Sequence, residues 1–126
     1  MHEKLSLFPG LDEKGRRLGE IRVPTHTMEA LDNYFLRGYE PGGFITSILT
    51  NNLYRAVASA DLANRHAIWE IVRWLNTDPI VPEYSWGTQH WVNWWLNDTE
   101  QVRTKFVEKI EKEYIWETLK LSLIHI

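Results

Sequence analysis

Residues 40–60 read EPGGFITSILTNNLYRAVASA, and the fold class follows from how that stretch is parsed. Pro41-Gly42-Gly43 breaks the chain, because proline lacks a backbone N–H and glycine tolerates tight geometry. After the break Ile45, Ile48, Leu49, Leu53, Ala56, Val57 and Ala60 recur at helical spacing, which predicts one amphipathic helix burying that face. Asn52 falls on the same face. A buried amide needs partners or costs about 1–3 kcal/mol. It therefore bonds another helix, splits the stretch in two, or contacts a ligand.

Working outward, the same periodicity continues. Upstream, Thr25 or Thr27 caps a helix with Met28, Leu31 and Phe35 on one face, and Gly38 stops it. Downstream, Asp61 caps a helix with Ile68, Ile71, Val72 and Leu75 as its buried stripe, ended by Pro79 and Pro82. Trp86-Gly87-Thr88 turns into a short helix capped by Thr88, with Val92, Trp95 and Leu96 facing inward. Asp98 or Thr99 caps a last helix through Lys120, whose apolar face is Val102, Phe106, Ile110 and Tyr114. Lys105/Glu108, Glu108/Lys112 and Lys109/Glu113 support its solvated face. Beyond Tyr114 the apolar positions Ile115, Trp116 and Leu119 change sides, which predicts self-association into a homo-oligomer.

The expected fold is all-α: a compact bundle of four to five short helices, with an N-terminal arm and a longer C-terminal helix. Residues 1–23 form the arm, with a turn at Asp12–Gly15 and a short strand over 19–23, and the arm is expected to pair with another chain. Residues 24–120 form the helical domain. Residues 121–126, LSLIHI, read as the translation of a sequencing-library adapter joined to an incomplete reading frame; the alternative is a genuine apolar helix end. Under either reading His125 is not a site residue.

Composition narrows function. At 126 residues the chain fits one domain with a single core. Its 14 basic and 17 acidic side chains give no basic field, which argues against a duplex nucleic-acid binder. There is no cysteine, hence no disulfide framework or thiolate metal site, and no apolar run of membrane-spanning length. A soluble cytoplasmic protein, away from membranes, is the expectation. Seven tryptophans exceed what a small core easily hides, since each buries about 150–250 Å². Some are expected at an interface or in a pocket.

Pro41-Gly42-Gly43-Phe44, Asn51-Asn52-Leu53, Ala60-Asp61 with Asn64, Ile71-Val72, and Trp86-Gly87-Thr88 with Val92 and Trp95 together resemble a family of small, mostly uncharacterised tailed-phage proteins. Pro24, His26, Thr27, Leu31 and Tyr34 fit that family's usual opening. The resemblance covers residues 24–96; the arm and the helix after Thr99 lie outside it, and Trp91 and Trp94 look like additions. It implies a phage accessory protein and supplies no catalytic residues.

Candidate chemistry comes from the residues themselves. The Gly42-Gly43 turn ahead of a helix can present backbone N–H groups to a phosphate or carboxylate. Arg37, Thr46, Asn52, Arg65 and His66 are the further ligand candidates. The competing reading is a helix–helix turn whose glycines merely permit tight geometry. His66 and Glu70 are four apart on one helix face, and His26 is a potential third ligand, but two residues do not make a metal site. An exposed helical pair is expected, with no metal and no cofactor. Trp91 and Trp94 sit off the inward stripe and, with Trp116, are the interface candidates.

The leading expectation is a non-enzymatic phage accessory protein that neutralises a host factor, in particular one of antiviral defence. It either sequesters a nucleotide second messenger between glycine turns, arginines and aromatics, or docks on a host defence protein through its Trp-rich surface. The alternatives are a nucleotide-processing enzyme using His66, Glu70 and Asp61, and a structural or regulatory phage protein without a small ligand.

Overall fold

A computed structural model of the chain describes residues 5–8, 16–17 and 22–124, with side chains described for 5–8 and 23–113. The turn expected at Asp12–Gly15 lies outside the described residues, as do His125 and the side chains of Tyr114, Ile115, Trp116 and Leu119.

β1 (Arg16–Arg17) and β2 (Arg22–Val23) form a two-residue antiparallel ladder, Arg16 opposite Val23 and Arg17 opposite Arg22. The strand expected near Val23 pairs within its own chain. α1 (Thr25–Asp32) follows, and its N-cap is Pro24, with no side-chain cap. The threonine cap is thus a misreading. The Pro24 carbonyl accepts from the N–H groups of Thr27 and Met28 at 3.1 Å each, while the Thr27 side chain is buried and donates to Asn64 Oδ1 at 2.6 Å. α1 then widens into a π-helical turn over Asn33–Arg37. The wider turn lets three successive side chains, Tyr34, Phe35 and Leu36, all face the core. Gly38 ends it in the left-handed region at φ 69°, as expected of a helix stop. A Cβ there would also collide with the Arg103 guanidinium.

The long helix expected over residues 45–60 is two helices, α2 (Gly43–Leu49) and α3 (Leu53–Ser59). Asn51 and Asn52 make the break. Asn51 takes the left-handed conformation at φ 62°, its N–H bonds the Ile48 carbonyl at 3.0 Å, and the Asn52 N–H bonds the Ser47 carbonyl at 2.8 Å. That pairing closes α2. Asn52 then caps α3, its Oδ1 accepting from the Arg55 N–H at 3.1 Å. The break resets the helical phase. Ile45, Ile48, Leu49, Ala56 and Ala60 are buried as expected, whereas Leu53 and Val57 face solvent.

The next expected helix divides in the same way. Asp61 caps only α4 (Leu62–Arg65), accepting from the Asn64 N–H at 2.8 Å. α5 (Ile68–Thr77) is separate and buries Glu70, Ile71, Trp74 and Leu75, leaving Val72 outward. α6 (Gln89–Asn97) starts at its Thr88 cap and directs Val92 and Trp95 inward, as the spacing predicts. α7 (Val102–Ile124) is the long C-terminal helix. Asp98 joins α6 to α7: it closes α6 in the left-handed region and accepts from the N–H groups of Arg103 and Thr104 at 2.8 and 3.3 Å.

The fold is all-α, with seven helices among the described residues where the pattern predicts four to five, because two expected helices are each cut once. Trp95 sits at the centre of the core. Its Nε1 donates to the Tyr34 carbonyl at 3.1 Å, and its ring meets the edges of Phe35 and Phe106. The arm contributes to this core as well. Leu5, Leu7 and Phe8 are buried, with Phe8 tilted against Trp74 at 4.9 Å. Asp32 holds them, accepting from the Ser6 hydroxyl and from the Leu7 N–H at 2.8 Å. No helix among the described residues is long and apolar enough to cross a membrane.

Candidate binding surface

The loop between α5 and α6 is fixed at several points. Ile80 N–H and Ser85 Oγ donate to Asp78 Oδ1 and the Pro82 carbonyl, at 3.0 and 2.6 Å. The Tyr34 hydroxyl donates to the Ser85 carbonyl at 2.6 Å, and the Gly87 N–H to the Leu49 carbonyl at 2.6 Å. Burial pushes the Tyr34 phenol well above its usual range, against the opposing pull of the Arg103 charge, so it stays a neutral donor. Ser85 is wholly buried; Tyr84 beside it is exposed and held at φ 61°. A left-handed backbone is unfavourable for a bulky residue and costs about 1–3 kcal/mol, so the surrounding bonds must impose it.

The strained backbone places the Tyr84 ring 4.7 Å from Trp91. Trp91 meets Trp94 edge-on at 5.6 Å and His90 at 4.9 Å. Trp91 and Trp94 are three apart on α6 and half-buried, while Val92 and Trp95 occupy its inward side. The result is a continuous row of Tyr84, Trp91 and Trp94 at the surface. Tyr84 had no signal in the sequence, because its conformation is set by Tyr34, fifty residues upstream.

The expected ligand residues have separate roles. Arg37 donates to the Leu5 carbonyl at 3.1 Å and to Asn33 Oδ1 at 3.2 Å, so it ties the arm to α1. Gly42 and Gly43 are exposed at the start of α2, where an added Cβ meets nothing, so neither packing nor conformation requires glycine there. Thr46 Oγ1 donates to the Pro41 carbonyl at 3.1 Å, and Asn52 caps α3. Arg65 ends α4 and His66 follows it, both exposed. Among the described residues no hydrogen bond or ion pair joins Arg37 or Arg65 to the Gly42-Gly43 turn.

The exposed His66/Glu70 pair is also corrected. His66 lies at the end of α4, whereas Glu70 is buried in α5 and accepts from Arg73 at 3.2 Å. Asp61 pairs with His26 instead, Oδ2 to Nε2 at 3.8 Å, and Asn64 Nδ2 lies 3.5 Å from the same nitrogen. Among the described residues no three His, Asp or Glu side chains are grouped to hold a metal ion.

Leu53 and Val57 on α3 and Val72 on α5, whose spacing reads as core, are exposed, and Tyr54 on α3, Leu62 on α4 and Trp69 on α5 join them. Recognising Asn51-Asn52 as a left-handed stop followed by a cap would have exposed Leu53 and Val57.

No family model matches this chain, and no curated protein or solved structure matches it either.

Proposed function

We propose that this chain is a phage accessory binding protein, with no reaction of its own, that neutralises a host factor by docking on a host defence protein through Tyr84, Trp91 and Trp94. The observation that carries this reading is the strained, exposed Tyr84 stacked on Trp91 over a loop pinned by Tyr34 and Leu49. Rigid aromatics lose little side-chain entropy on binding and supply most of the energy of protein interfaces. The motif resemblance to tailed-phage proteins supports the accessory role.

The test is affinity capture from host extract, repeated with the purified captured protein by calorimetry. Trp91→Ala with Trp94→Ala should weaken binding about tenfold or more while the circular dichroism spectrum stays unchanged. Binding that survives the double substitution would refute the reading.

Sequestration of a nucleotide second messenger receives less support. α2 is only seven residues long, and the Arg37 guanidinium already serves Leu5 and Asn33. Native mass spectrometry with cyclic dinucleotides separates the two: an adduct abolished by Arg65→Ala but kept in the tryptophan variant would reverse the preference.

A further inference from the structure

α3, α4 and α5 follow one another through two-residue links, and they carry six of the eight exposed large hydrophobic side chains among the described residues. Tyr54 is 85% exposed, Leu62 73%, Leu53 69% and Trp69 65%. Their inner faces are already satisfied by Ala56, Ala60, Asn64, Ile71 and Trp74. The outward residues therefore contribute little to holding the fold, and apolar surface of this extent marks an interaction site.

The charges on these helices say what covers it. Asp61 is engaged by His26 and by the Asn64 N–H, and Glu70 is buried beneath Arg73. Arg73 also lies over the exposed Trp69 ring, 5.4 Å from its centroid. Arg55 and Arg65 remain, both exposed and, among the described residues, without a carboxylate partner. The local sign is positive on a chain whose net charge is −3.

We infer that the outer face of α3–α5 is a docking surface for an acidic amphipathic helix of a partner protein. Leu53, Val57, Leu62 and Val72 are aliphatic and call for an apolar partner surface, which the apolar face of an amphipathic helix supplies. A nucleic-acid strand would use Tyr54 and Trp69 but leave the aliphatics facing phosphates. A second copy meeting the same face would oppose Arg55 and Arg65 to their own kind, which electrostatics disfavours. Carboxylates on either side of the apolar stripe complement the two guanidinium groups. This surface uses none of the residues of the Tyr84–Trp91–Trp94 row, so it stands independently of the function proposed above.

The test is fluorescence anisotropy on the full chain with four labelled probes: a synthetic amphipathic peptide with leucines on one face and glutamates on the other, its lysine counterpart, a scrambled peptide, and oligothymidylate. The acidic peptide should bind in preference to the other three. Leu53→Ser with Leu62→Ser, and separately Arg55→Glu with Arg65→Glu, should each weaken it about tenfold or more. Thermal midpoints should hold, and Trp91→Ala should leave the affinity unchanged. Equal binding of the lysine or scrambled peptide overturns the inference. Preferential binding of oligothymidylate overturns it in favour of nucleic acid, and self-association abolished by Leu53→Ser with Leu62→Ser overturns it in favour of a second copy.

Discussion

Trp95 and Trp69 are the same side chain put to opposite uses. Trp95 is enclosed, its indole N–H bonded to Tyr34 and its ring edged by Phe35 and Phe106. Trp69 lies on the outer side of α5 with the Arg73 guanidinium over its ring. The contrast extends to the regions around them. On the Trp95 side, Tyr34, Asp98, Arg103 and Gly38 lock together, with Arg103 donating to the Trp95 carbonyl at 3.2 Å. On the Trp69 side, α3 and α4 bury only Ala56 and Asn64 and leave Leu53, Tyr54, Val57 and Leu62 outside, while Trp69 and Val72 face out from α5. The long-range hydrogen bonds gather around Trp95, and most of the exposed large hydrophobic side chains gather on α3–α5.

Substitutions can break that contrast, and Trp95→Ala should have the largest effect. Removing a central indole and its hydrogen bond should cost about 3–5 kcal/mol in urea unfolding. Gly38→Ala comes next, at about 1–3 kcal/mol, because it forces a left-handed backbone on a residue with a Cβ and displaces Arg103. Tyr34→Phe should cost about 1–3 kcal/mol by leaving the buried Ser85 carbonyl unpaired. It should also release Tyr84 from its strained position, measurable as faster hydrogen exchange in residues 82–87. At the other extreme Trp69→Ser should change stability by no more than about 0.5 kcal/mol. A large loss there would mean that α5 depends on its outer face, and the division between regions would fail.

Two carboxylates sharpen the comparison through pH. Burial pushes Asp32 above its ordinary 3.8, although Ser6, Leu7 and the Arg37 charge pull it back down. The folded chain therefore holds that proton more tightly, and its stabilising effect, full at low pH, fades as pH rises from 3.8 through the raised value. Burial also acts upward on Asp98, but hydrogen bonds from Thr104 and Arg103, with the Arg103 charge, bring it below 3.8 overall. Its contribution is present above 3.8 and is lost as pH falls through the lowered value. Relative to Asp32→Asn, the wild type should lose stability as pH rises above 3.8. Relative to Asp98→Asn, it should lose stability as pH falls below 3.8. Thermal melts across both windows check the two signs.

Features set by neighbours in sequence were legible, and those set by distant partners were not. The Thr88 cap, the inward Val92 and Trp95, and the Gly38 stop depend on spacings of a few residues, and all three hold. Trp91 and Trp94 could be placed off the inward stripe by the same counting. The break at Asn51-Asn52 is also local: periodicity alone runs straight through it, since apolar residues recur on both sides, but the polar Asn52 on the apolar face already offers a split there. The burial of Leu5, Leu7 and Phe8 depends on Asp32 and Trp74, and Tyr84 depends on Tyr34, so no window of sequence contains either cause. Spacing also reveals which residues share a face without revealing what covers it, which is why Leu53, Val57 and Val72 read as core.

The docked residues Leu5–Phe8 also bear on the order of events during synthesis. They leave the ribosome before their anchor Asp32, 25 residues beyond Leu7, and well before their ring partner Trp74. Until then the Phe8 ring lacks its aromatic partner. The Tyr34–Trp95 bond, spanning 61 residues, imposes a similar delay on the centre of the core. A chain whose helices are short and local thus completes its packing late, through contacts of long sequence separation, and its folding should be slower than its helix content suggests.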